Sequence, residues 1–331
     1  IFINFKFYVC NMRFTDADIL VTGGAGFIGS NLVDKLLLEG ANVTVLDNLV
    51  TGSLSNLKDH KNLKFQKMDL TEIHRLPNIL KNFKIVFHVA AYPEVRTGFD
   101  SPQLAYKENI ENTFFLLEAI RKSNIEKLIF TSSSVVYGEP DIIPTPETYG
   151  PLFPISNYGG SKLACEGLIS SYCHTYGFKG TILRFANVIG SRSRHGVIWD
   201  FINKILKNKT TLEILGNGKQ NKSYIHVKDC IDAMLFCTQN KQNLVDVFNI
   251  GNDDTVDVIT IAKIVCATMN FDESKITLSG GTSDGRGWIG DIMKMNLDTS
   301  KLKKLGWNPN HSSLNAVKIT CNELFQEINS I

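Results

Sequence analysis

Asp18-Ile-Leu-Val-Thr-Gly-Gly-Ala-Gly-Phe-Ile-Gly29 decides how this chain is read. A short, unbroken apolar run is followed by glycines at 23, 26 and 29, and then by a stretch with helical spacing over 28–38. Each glycine has a physical reason. Gly23 permits a tight turn, Gly26 lets backbone approach a pyrophosphate, and Gly29 lets helix and sheet pack closely. A diphosphate would then rest on the free N–H groups of a helix N-terminus, where the dipole favours negative charge. Phe27 and Ile28 sit inside this turn and belong to the same candidate site.

Working outward, the next apolar run ends at Asp47-Asn48, with Asp47 eighteen residues beyond Gly29. A carboxylate there accepts both hydroxyls of an adenosine ribose and repels a 2′-phosphate, which favours NAD over NADP. A third run leads to Asp69-Leu70, placed to flank the adenine. Further apolar runs at 85–89, 128–130 and 181–185 alternate with helical spacing at 104–121 and 161–176. Short, continuously apolar strands separated by helices indicate a parallel sheet buried on both faces. The expected fold class is therefore α/β, a doubly wound parallel-sheet (Rossmann-type) domain with a smaller mixed α/β substrate-binding domain. The first should occupy 12–186, with returning segments near 224–252, and the second 187–223 and 253–331. Residues 1–11 read as an extension ahead of Met12.

Composition removes other classes. Thirty-five basic and thirty-three acidic side chains give a net charge of +2, interspersed along the chain, so neither nucleic acid nor an anionic membrane is an expected partner. No window is long and apolar enough for a spanning helix. Seven cysteines, none spaced C-x-x-C, read as small core residues of a reduced, cytoplasmic protein, with no metal site.

Asn157-Tyr-Gly-Gly-Ser-Lys162 carries the chemistry. On a helix, Tyr158 and Lys162 share a face. A phenol ionises near pH 10, too high for a general base at neutrality, and a neighbouring ammonium would lower that value. Ser133, at a strand end, could donate to the same reacting oxygen. Tyr224 and Lys228 repeat the spacing, but in an extended pattern, where i and i+4 stand roughly 13 Å apart. His226 reads as a hydrogen-bonded core histidine. Arg192 and Arg194 read as solvated loop charges, with a hexuronate carboxylate as the other possible partner.

Together these residues resemble the extended short-chain dehydrogenase/reductase family, and within it the nucleotide-sugar 4-epimerases, such as the UDP-glucose 4-epimerases. Supporting motifs occur in order: His88-Val-Ala-Ala91, Asn109-Ile-Glu-Asn-Thr113, Ser132-Ser-Ser134, Arg184-Phe-Ala-Asn187, Gly216-Asn-Gly-Lys-Gln220, Asn249-Ile-Gly251 and Gly290-Asp291. The resemblance implies NAD as cofactor and a UDP-sugar as substrate, with UDP-glucose and UDP-galactose favoured; UDP-glucuronate or a UDP-N-acetylhexosamine, a dehydratase or reductase of the same fold, and a non-catalytic NAD-binding sensor are the alternatives. It implies that Val89, Ala90 and Ala91 line the cofactor diphosphate, that Asn109 touches the nicotinamide half, and that Lys162 and Phe185 lie beside it. It places Asn187, Val197, Lys222 and Arg286 around the sugar nucleotide, with Ser133 and Tyr158 at the sugar. Lys222 stands where the family usually has an arginine, keeping the charge without the bidentate fork. Related dehydratases carry Thr-Asp-Glu where this chain has Ser133, Ser134 and Val135, so oxidation and re-reduction at C4 is the implied outcome. A homodimer through the helices at 104–121 and 161–176 is also implied by the resemblance alone.

Overall fold

The computed structural model describes residues 14–93, 101–240 and 243–329. The expected extension over 1–11, together with Cys10, lies outside them.

The chain opens with β1 (Asp18–Thr22), α1 (Phe27–Leu38), β2 (Asn42–Asp47), β3 (Leu63–Lys67), α2 (Leu76–Leu80) and β4 (Ile85–His88). It continues with α3 (Pro102–Ala105), a π-helical stretch over Tyr106–Glu111, α4 (Asn112–Ile120), β5 (Lys127–Ser133), α5 (Asn157–Tyr176) and β6 (Lys179–Phe185). These strands form a parallel sheet in the order β3-β2-β1-β4-β5-β6, closed at its far edge by β11 (Val245–Ile250). The order reverses direction between β1 and β4, the place where such sheets open a ligand crevice.

Alternation within each strand builds the layers. Ile19 and Val21 of β1, with Val43 and Val45 of β2, face α1 and α7 (Val227–Gln239). Leu20, Leu46, Val86 and Phe130 face α2, α4 and α5 on the opposite side. All eight are essentially without solvent contact, and each such side chain contributes about 1.5–3 kcal/mol of burial free energy.

Between β6 and α7 lie β7 (Asn187–Ile189), α6 (Val197–Lys207), β8 (Leu212–Leu215), β9 (Asn221–Lys222) and β10 (Tyr224–His226). After β11 come β12 (Val256–Asp257), α8 (Val258–Thr268), β13 (Ile276–Ser279), β14 (Lys294–Met295), α9 (Ser300–Lys304) and α10 (Ser313–Asn329). A separate apolar cluster joins α6, α8 and α10 through Ile202, Ile205, Val265, Val317 and Leu324.

Two local expectations need correction. The helix expected over 104–121 is interrupted by the π-helical stretch, which a 3.6-residue period cannot reveal. Tyr224 and Lys228 do not lie on one strand. Tyr224 is in β10 and Lys228 in the first turn of α7, where its ammonium pairs with Glu323.

Candidate active site

The turn after β1 has the stereochemistry its glycines suggested. Gly23 adopts φ +70°, and a Cβ there would lie 2.5 Å from the Ala90 nitrogen. At Gly29 a Cβ would lie 2.1 Å from the Gly23 carbonyl oxygen, so helix and turn touch backbone to backbone. Gly26 differs, since a Cβ there would meet only the Gly23 oxygen, at 3.3 Å. Gly26 also caps α1 without a side chain, leaving the first-turn N–H groups for a ligand.

These N–H groups open on a cleft at the carboxyl ends of the strands. Its walls include Gly23, Gly26, Phe27, Ile28 and Gly29 from the turn, with Asp47 at the end of β2, Asn48 just after it and Leu70 after β3. Val89, Ala90 and Ala91 follow β4, and Tyr158, Lys162 and Phe185 complete the expected set. Asp47 accepts from the Ala25 N–H at 2.9 Å and the Leu49 N–H at 2.8 Å, which fixes its carboxylate beside the turn. One lone pair on each oxygen remains for a ribose hydroxyl. Behind the turn, His88 bridges Thr22 at 2.7 Å and Thr113 at 3.0 Å, tying β1 and β4 to α4. Burial lowers the His88 ionisation to about 3, with the Lys162 charge adding to the effect, so the ring is neutral.

Other expected residues stand elsewhere. Asn109 does not line the cleft. Its side chain accepts from the Tyr92 N–H at 2.7 Å and donates to Ser161 at 2.8 Å, bracketing the loop after β4 to α5. Asp69 accepts from Asn48 at 3.1 Å and from the Thr71 hydroxyl at 2.7 Å, so it stands behind Asn48 and does not line the cleft itself. Asn187 donates to the Ser223 carbonyl, and Val197 packs in the cluster of α6 and α8. Lys222 pairs with the buried Asp291 at 2.7 Å. The Arg286 guanidinium donates to Glu139, Asp284 and the Asp291 carbonyl, so it shares an anchor with Lys222.

Arg194 is exposed, as expected of a solvated loop charge, whereas Arg192 is largely withdrawn from solvent. Arg192 pairs with Asp34 of α1, and Arg194 with Glu327 of α10 while covering the Trp199 ring. His226 is buried as expected, bonded to Glu323 at 3.1 Å. The six described cysteines are free and buried. Among the described residues no group of His, Cys, Asp and Glu could hold a metal ion.

At the start of α5, Ser156 caps the helix by accepting from the Gly159 N–H at 3.1 Å, which starts it one residue before Tyr158. The Tyr158 phenol is pushed above its ordinary value by burial, and a hydrogen bond to Ser133 opposes that shift. Lys162 does not touch the phenol. Its ammonium donates to the Thr131 carbonyl at 2.8 Å and lies 5.8 Å from the centre of the Tyr158 ring. Burial lowers the Lys162 ionisation to about 8. In this arrangement burial dominates the phenol's ionisation and Ser133 opposes it; the expected lowering rests on the Lys162 ammonium together with the positive charge of the oxidised nicotinamide.

The sequence reading missed several cleft residues, among them Tyr92, Glu108, Asn112, Thr131, Ser132 and His195. Glu108 and Asn112 flank Asn109 on its helical stretch, and Thr131 and Ser132 precede Ser133, so proximity in the chain was an available signal. His195 had none. It reaches the cleft because the 190–196 loop folds it to 6.2 Å, edge to face, from the Phe27 ring.

The profile of the NAD dependent epimerase/dehydratase family matches residues 19–251. The chain belongs to this family. A UDP-glucose 4-epimerase of Lactobacillus helveticus is 32% identical over 323 residues, covering 91% of this chain and 95% of its own. A crystal structure of a UDP-galactose 4-epimerase superposes with a TM-score of 0.83 at 39% identity, covering 94% of this chain and 99% of that one. The UDP-glucose 4-epimerase of Thermotoga maritima, solved with UDP-glucose, gives 0.84 at 34% identity, with coverage of 94% and 99%. The cofactor is NAD. This member's cleft fits that group: it offers an uncapped helix end, an open Gly26, and the Asp47 carboxylate held beside the turn with acceptor capacity to spare.

Proposed function

We propose that this enzyme interconverts UDP-sugars at C4, with UDP-glucose and UDP-galactose as its substrate pair. The observation that carries the reading is that Tyr158 and Lys162 both line the NAD cleft, on one face of α5, with serine, serine and valine at 133–135 at the end of β5.

When bound, NAD supplies a reversible two-electron acceptor for the sugar carbon. Tyr158 takes the C4 hydroxyl proton as that carbon is oxidised, and returns it after the 4-keto sugar has turned its other face. Ser133 donates to the same sugar oxygen and holds the phenol in line. Lys162, positively charged below about pH 8, steadies the phenolate through the field of its ammonium. Neither Ser134 nor Val135 can serve as the acid or base of a water elimination, so the keto sugar is re-reduced. Lys222 and Arg286, gathered at Asp291, hold the substrate diphosphate while the sugar remains free to rotate. Exposed Tyr106, Phe114 and Tyr176 on the α3–α4 and α5 faces support a homodimer.

Incubation with UDP-glucose, UDP-galactose, UDP-N-acetylglucosamine and UDP-glucuronate separately, followed by chromatography, tests the substrate reading. Only the first two should interconvert. The Tyr158→Phe variant should lose turnover and keep bound NAD; a persistent 4-keto product from the wild type would replace this reading with a dehydratase.

A further inference from the structure

The last three residues of β5 each reach α5. The Thr131 carbonyl accepts from Lys162 at 2.8 Å, the Ser132 hydroxyl donates to Glu166 at 2.5 Å, and Ser133 lies near enough to the Tyr158 phenol to lower its ionisation. Tyr158, Lys162 and Glu166 are spaced by four residues and share one helix face. The first two have a place in the proposed chemistry, and Glu166 has none so far.

Glu166 is fixed from a second side as well. Arg184 on β6 donates to it through Nε at 3.0 Å and Nη2 at 2.6 Å, a bidentate pair. Ser132 and Arg184 are register partners across β5 and β6. One carboxylate therefore clasps neighbouring strands exactly where each meets the cleft, beside Ser133 on one and Phe185 on the other. Glu166, Arg184 and Ser132 are all buried, at 6%, 5% and 3% exposure. A buried ion pair is weak evidence for stability, because desolvation consumes much of the attraction; apolar residues of like volume often serve as well. What apolar packing cannot supply is directional restraint on both strand ends.

From this geometry, and resting on the proposed C4 chemistry, we infer that Glu166 is a positioning residue. Through Ser132 and Arg184 it sets α5 against the end of β5, and so fixes Tyr158 relative to Ser133 without touching substrate. Misplacement of a proton acceptor by a fraction of an ångström slows the chemical step and leaves binding intact.

Ser132→Ala is the cleanest test, since it removes the strand link and leaves the buried ion pair. Turnover per molecule of bound NAD, KM, thermal midpoint and the isotope effect with C4-deuterated UDP-glucose are measured on the full chain. The inference expects kcat lowered about tenfold, KM within about twofold, and a larger isotope effect as chemistry becomes rate-limiting. Glu166→Gln should lose more turnover in the same pattern; if it fails to fold, Ser132→Ala decides. A Ser132→Ala kcat within about twofold of wild type overturns the inference, as does a loss matched by lost NAD with an unchanged isotope effect. Absence of wild-type turnover on every UDP-sugar would instead overturn the proposed reaction, and the positioning role with it.

Discussion

The Lys162 ammonium donates to the carbonyl of Thr131, on the strand before Ser133, and stands 5.8 Å from the ring centre of Tyr158. Its influence on the phenol is therefore one of charge, not of direct contact, and charge depends on pH. With ionisation lowered to about 8, the cation is present at neutrality and lost above that value. Turnover should fall on the alkaline side near pH 8. Lys162→Arg, whose guanidinium stays protonated, should show a lower kcat with no such fall. A pH profile of kcat for both proteins checks this; the same alkaline limb in the variant would assign it to another group.

The two glycines of the turn should separate folding from cofactor binding. A Cβ at Gly29 meets the Gly23 oxygen at 2.1 Å, whereas at Gly26 it meets that oxygen at 3.3 Å and otherwise faces the cleft. Gly29→Ala should lower the thermal midpoint by several degrees, in keeping with an overpacking cost of about 1–3 kcal/mol. Gly26→Ala should fold nearly as well and bind NAD at least about tenfold more weakly, because its methyl occupies the diphosphate path. Calorimetric titration with NAD and thermal melts distinguish the two; equal losses of stability would refute the difference in role.

Much of this site could be read from the chain because local pattern and function coincide there. β1, the turn and α1 form one contiguous segment, and Tyr158, Lys162 and Ser133 sit at element ends that the apolar runs mark. What escaped reading depends on distant partners. Arg192 finds Asp34 at a separation of 158 residues, and Arg194 finds Glu327 at 133, so neither pair has a local signature. The strands β9, β12 and β14 are two residues each, too short for alternation to register. The π-helical stretch escaped because its period departs from the one sought, yet it is where Asn109 turns inward to hold Tyr92.

His88 should make the fold sensitive to acid. The folded protein holds it neutral to about pH 3, whereas an unfolded chain protonates histidine near pH 6.5. Between those values the unfolded state binds the extra proton, so stability falls as pH drops, at up to about 1.4 kcal/mol per pH unit from this residue. Above pH 6.5 the contribution is constant. His88→Gln can bond Thr22 and Thr113 without titrating, and its melting temperature should fall less steeply than that of the wild type between pH 6.5 and 4. Parallel curves would remove His88 from the acid response.

The proposed diphosphate contact can be tested at Lys222. Its side chain is 18% exposed and its ammonium pairs with the carboxylate of Asp291, whose side chain is 1% exposed. Simple truncation would strand that carboxylate, at a cost of about 3–5 kcal/mol, and would confuse binding with folding. Lys222→Arg keeps the ion pair and adds a planar fork able to grip two phosphate oxygens. The KM for UDP-glucose should therefore fall about threefold or more, with kcat and NAD affinity unchanged, as expected when ground and transition states are bound more tightly alike. Competition by UDP alone, measured on the same two proteins, should tighten by the same factor if the gain is made at the diphosphate. An unchanged UDP affinity would leave Lys222 as the internal counterion of Asp291 and move the diphosphate contact to Arg286.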